Sequence, residues 1–120
     1  MIWNFITDML RTPEAQHSAY IWAAALLGHF AVGIAATAVA GWVVGAWRGA
    51  SIVSIGYLLL WEGAQVAFFG GGVADGLVDA AAVACGAVVA AGAWRNRGMA
   101  VGAAMAVLVA IGLRGVKVRR

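Results

Sequence analysis

The chain has 120 residues, of which 64% are apolar and 11% charged, with a net charge of +3, 17 glycines, one proline and one cysteine. Soluble domains sit near roughly 45–50% apolar and 25% charged, so this balance sets aside a water-soluble globule. The length allows one domain. Cys85 is the single cysteine, which excludes an intrachain disulfide and any cysteine-based metal motif and leaves it as a small inert hydrophobe.

The chain opens with MIWNFITDML, where Trp3 and Phe5 stand among Asn4, Thr7 and Asp8. Too short to span, residues 1–11 are predicted to form a helix lying in the membrane interface. Thr12 and Pro13, followed by Glu14, form a helix-start signal. From Ala15 to Trp47 there is no Asp, Glu, Lys or Arg, and an apolar run of about 18 residues already marks a candidate membrane span. Ala38-Val39-Ala40 has the small-residue spacing of a signal cleavage site, but the apolar run before it is far longer than a signal peptide uses.

The predicted spans are residues 19–47, 50–69, 73–94 and 98–116. Arg48-Gly49 is the expected first turn, Gly70-Gly71-Gly72 the second and Arg95-Asn96-Arg97 the third. The last segment has 16 uncharged residues, Gly98–Leu113, or about 24 Å of helix. It crosses a bilayer only if Arg114 snorkels. The positive-inside rule favours leaving it on the surface, with the N-terminus outside, whereas hydrophobicity favours a fourth span. The expected fold is an all-α polytopic membrane protein with about four transmembrane helices and a short interfacial N-terminal helix.

Gly33, Thr37, Gly41, Gly45 and Gly49 recur every four residues, as one face of a single helix would require. Ala82, Gly86 and Ala90 form a second ladder, and Gly98, Gly102, Ala106 and Ala110 a third. Lipid tails are as apolar as leucine, so membrane helices associate through close packing of such small residues and through polar contacts. Two uses remain open: packing within one protomer, or an outward face that drives homo-oligomerisation.

Titratable residues inside apolar segments are the next informative feature. Glu62 and Gln65 are three apart, Asp75 and Asp79 four apart, and His29 stands deep in the first span. Helical rise from the span midpoints places His29, Glu62 and Asp79 each roughly 3–6 Å from the midplane and Asp75 roughly 12 Å from it. A charge at that depth costs about 2.5–3.5 kcal/mol, so these groups should meet one another or water. The expected arrangement is a hydrogen-bonded cluster of His29, Glu62, Gln65 and Asp79, with Asp75 nearer the surface. It could be a structural network, a water-lined proton-linked site, or a metal site, the last unsupported by a second histidine or a cysteine. The basic tail, Arg114, Lys117, Arg119 and Arg120, suits anionic lipid headgroups better than nucleic acid.

Glu62-x-x-Gln65 followed by Asp79 and Gly86 resembles the core pattern of VanZ-like membrane proteins. Gly70-Gly71-Gly72 stands where that family has an arginine, and Val83 where it has an asparagine. The resemblance implies an accessory membrane role associated with glycopeptide resistance. In overall plan, several membrane helices with a short basic C-terminal tail, the chain is similar to phage holins, which oligomerise into membrane lesions that release or expose a lytic enzyme. That likeness implies a homo-oligomer in the bacterial inner membrane of a cell or phage-infected host, with the lipid bilayer as partner. A lytic enzyme would then act downstream without direct contact. No catalytic constellation, phosphate-binding loop, zinc motif or dinucleotide fingerprint occurs, so neither an enzyme nor a cofactor is expected. A small proton-coupled transporter or channel using Glu62 and Asp79 is the remaining reading.

Overall fold

The structure, a computed structural model, describes residues 18–64, 67 and 73–119, with the side chains of 61, 62 and 73–76 outside that description. The expected interfacial helix 1–11, the Thr12-Pro13 start and the Gly70-Gly71-Gly72 turn therefore lie outside the described residues. Helix α1 is Ala19–Val44 and α2 is Ala46–Gly56, which runs on into a π-helical segment, Tyr57–Glu62. Helix α3 is Val73–Trp94 and α4 is Gly98–Arg119. No strand occurs among the described residues. Three helical stretches are long and apolar enough to cross a membrane: Ala19–Val44, Leu77–Trp94 and Gly98–Arg119. The stretch Ala46–Leu60 is apolar but shorter. The fold is all-α and of membrane type.

Ser18 caps α1: its backbone is extended and its side chain accepts the Ile21 N–H at 3.3 Å. This satisfies one of the four amides that every helix start leaves open. Helix α1 ends at Val44, short of the expected turn at Arg48-Gly49, because Gly45 breaks it at φ 101° and ψ 151°. A side chain at that φ is strained, so only glycine fits well. The chain reverses there, and Gly49 of α2 returns to lie against the backbone of Gly41. Trp47, Arg48 and Gly49 thus belong to α2, and the expected boundary moves from Arg48-Gly49 to Gly45.

The α3–α4 connection is short and fully bonded. Asn96 takes a left-handed φ of 55°, Arg97 N–H donates to Gly92 O at 2.7 Å, and Asn96 N–H donates to Ala93 O at 3.3 Å. This 6→1 and 5→2 pair is a Schellman cap, which terminates a helix while satisfying its last carbonyls.

Helices α1 and α3 run parallel, with their backbones in direct contact. Gly33 lies on the carbonyl of Val83, and Gly86 on the carbonyl of Phe30. Around this contact Thr37, Val83, Ala87 and Ala91 are fully buried, and Ala46 and Ala50 of α2 pack against Ala87 and Ala91. A second cluster joins α1, α3 and α4 through Leu26, Ala82, Cys85, Ala104 and Leu108. Helix α4 runs antiparallel to α1: Gly112 meets the Leu26 side chain, and Gly115 lies against the Trp22 ring.

The size distribution is inverted relative to a soluble protein. The interior is mostly alanine and glycine, while Tyr20, Leu27, Trp42, Val43, Leu59, Leu60, Met99 and Leu113 face outward. In water each such side chain forgoes about 1.5–3 kcal/mol of burial. Acyl chains remove that penalty, and small interior residues let the helices come close enough for dispersion to hold them.

Candidate functional site: a histidine–aspartate pair inside the bundle

His29 on α1 and Asp79 on α3 meet at the level where the two helices begin their close contact. His29 Nε2 lies 3.7 Å from Asp79 Oδ2, and their side chains are 12% and 16% exposed. Tyr57, at the start of the π-helical segment that continues α2, completes the group, its ring edge-on to His29 with centroids 5.9 Å apart and planes at 81°. Three helices thus contribute a histidine, an aspartate and a tyrosine at one level.

The other side of the imidazole fixes its chemistry. His29 Nδ1 lies 2.7 Å from the Ala25 carbonyl oxygen, one helical turn earlier. A carbonyl only accepts, so Nδ1 carries a proton and donates it. Nε2 then faces the carboxylate with either a lone pair or a second proton. The contact is attractive where one of the two residues turns a proton toward the other, and at 3.7 Å it exceeds a direct hydrogen bond. The arrangement sets a carboxyl group beside an imidazole inside the bundle.

Tyr57 is the residue that sequence reasoning passed over. It opens the π-helical segment Tyr57–Glu62, and such widened turns are frequent at functional sites. Tyrosine in an apolar run carries no charge, so depth arithmetic restricted to acids and histidine omits it.

Of the expected polar cluster, the structure brings His29 and Asp79 together. Glu62 ends the π-helical segment and Asp75 lies in the first turn of α3, with both side chains outside the described set, and Gln65 is not described. Among the described residues no group of three His, Cys, Asp or Glu could hold a metal ion.

The first small-residue ladder is not one helix face. Gly33, Thr37 and Gly41 are buried on α1, Gly45 is the hinge, and Gly49 is buried on α2 against Gly41. Their four-residue spacing looks continuous because the break itself falls on a ladder position. Ala82 and Gly86 are buried on α3, whereas Gly98, Gly102, Ala106 and Ala110 of α4 are all exposed.

The basic tail divides. Arg114 and Lys117 are exposed, while Arg119 folds back: its guanidinium lies 4.5 Å from the centre of the Trp22 ring and donates to Gly115 O at 3.1 Å. Gly115 is what lets that ring in, since any side chain there would occupy its place. Arg120 lies outside the described residues. No protein-family model, curated protein or solved structure matches the chain.

Proposed function

We propose that this chain is a small multi-span protein of the bacterial inner membrane that self-associates and permeabilises the bilayer in the manner of holins. The observation that carries the reading is the outward face of α4. Gly98, Gly102, Ala106 and Ala110 lie on it, all exposed, and nothing stands within 4 Å of where a Cβ on Gly98 or Gly102 would be. Every four residues along this helix the surface is shallow enough for a second helix to approach closely. The ladder residues Gly33, Thr37 and Gly41 of α1 and Ala82 and Gly86 of α3 are buried within the protomer, so α4 carries the ladder that is open to another copy. Arg114 and Lys117, exposed at its C-terminal end, would hold that end at anionic headgroups. A lytic enzyme would act after the lesion forms, without touching this protein.

Induced expression with and without a cytoplasmic endolysin tests the reading. Abrupt, timed lysis that needs the endolysin, and is lost in Gly98→Leu/Gly102→Leu while membrane insertion persists, is the expected result. No permeability change at any expression level rejects it.

The His29–Asp79 pair favours a second reading, a small proton-coupled transporter or channel. It predicts flux in liposomes driven by a pH gradient and abolished by Asp79→Asn. A holin-like lesion would leak in both forms.

A further inference from the structure

The outer face of the α1–α2 elbow carries an open groove of about 480 Å³ lined by Val44, Trp47, Arg48, Ser51 and Ile52. Four of these residues lie at successive i, i+1, i+4 and i+5 positions of α2. They form the face turned away from Ala46, Gly49 and Ala50, which are buried against the bundle. Ser51 Oγ donates to the Trp47 carbonyl at 3.0 Å, so its proton is already used within the helix. Arg48 is therefore the polar group free to act at the groove, and it makes no ion pair among the described residues. The remaining walls are hydrocarbon and indole.

The same end of the bundle carries Arg95 and Arg97 in the α3–α4 turn, both exposed. The described acid nearest to them along α3 is Asp79, sixteen residues before Arg95, or about 24 Å of helix. Three cations with no local counter-charge among the described residues call for an anion. The groove adds an apolar channel beside one of them, along a helix that faces acyl chains. A phosphate covalently joined to hydrocarbon answers both demands. We propose that this groove seats one anionic phospholipid, its phosphate on the Arg48 guanidinium and an acyl chain along Val44, Trp47 and Ile52. A guanidinium suits this role because it is always charged and can hold two phosphate oxygens at once. The indole of Trp47 belongs at the headgroup boundary for the same amphipathic reason. The bound lipid would brace the elbow at Gly45, where α1 and α2 meet without a side-chain cap. This inference depends on the membrane setting and not on the holin-like reading.

Native mass spectrometry of the detergent-solubilised full chain, titrated with dioleoyl-phosphatidylglycerol or dioleoyl-phosphatidylcholine, tests the proposal. The first phosphatidylglycerol should bind about fivefold more tightly than phosphatidylcholine, the effect of one basic residue near an anionic headgroup. Arg48→Gln should remove that preference, and Arg48→Lys should keep most of it. Ile52→Trp, which fills the groove and keeps the charge, should weaken both lipids, so a folding defect in one variant does not decide the matter. Equal binding of the two lipids, a preference that survives Arg48→Gln, or a groove that instead closes on a second copy, seen as dimers lost in Ile52→Trp, would each overturn it.

Discussion

Gly33 of α1 rests on the carbonyl of Val83 in α3, so two helices far apart in sequence touch backbone to backbone. Gly86 repeats the relationship in reverse, on the carbonyl of Phe30. The bundle is built around this reciprocal pair, and its consequences can be measured.

A methyl group at either glycine has nowhere to go, because the atoms it meets are backbone. Gly33→Ala and Gly86→Ala should each destabilise the detergent-solubilised protein by about 1–3 kcal/mol, the usual cost of overpacking. Gly28 has nothing within 4 Å of its Cβ position, and Gly28→Ala should be neutral or stabilise by about 0.5–1 kcal/mol. Reversible unfolding in mixed micelles gives the comparison. Equal effects at Gly28 and Gly33 would contradict the packing described.

Gly45 sets where the first hairpin turns. At φ 101° any side chain is strained, and Gly45→Ala should cost about 1–2 kcal/mol although space is open around it. Gly49→Ala should cost at least as much for a different reason, its collision with the Gly41 backbone. A protein in which Arg48 and Gly49 formed the turn would tolerate Gly45→Ala as an ordinary helix position.

Asp79→Asn tests the pairing of α1 with α3 through His29. Asparagine keeps an N–H that can point at His29 Nε2, so the bundle should assemble with a loss of under about 1.5 kcal/mol. Asp79→Leu, which leaves His29 Nε2 facing hydrocarbon, should cost more. Unfolding in mixed micelles gives the comparison, and equal losses would mean that the His29–Asp79 contact contributes nothing.

The ends of α1 and α4 are held by one contact, the Trp22 ring against Gly115 and Arg119. Arg119→Ala should cost about 0.5–2 kcal/mol, the range for a cation over an indole. Gly115→Val should expel the ring and cost more. A disulfide engineered between the two ends in a Cys85→Ser background should form readily in the parent and poorly in Gly115→Val.

Composition and the long uncharged run from Ala15 to Trp47 were enough to read the all-α membrane fold, because hydrocarbon imposes helices on such a segment. Depth arithmetic on His29 and Asp79 also anticipated residues that the fold brings together, since helical rise converts position into level. Other features depend on three-dimensional context. Gly45 looks like any other ladder glycine until its φ is known. Tyr57 and the Trp22–Arg119 contact join residues whose partners are distant in the chain and whose types carry no periodic signal. Orientation of the ladders was equally hidden: spacing places residues on one face but does not say whether that face turns inward, as on α1, or outward, as on α4.

The central claim is that acyl chains are the solvent of this bundle, with small residues inside and large apolar ones outside. Extraction and detergent removal test it most directly. The chain should stay in the membrane pellet through an alkaline carbonate wash, dissolve in mild detergent as a helical particle, and precipitate when the detergent is withdrawn. A folded, monodisperse monomer in plain buffer would contradict the account.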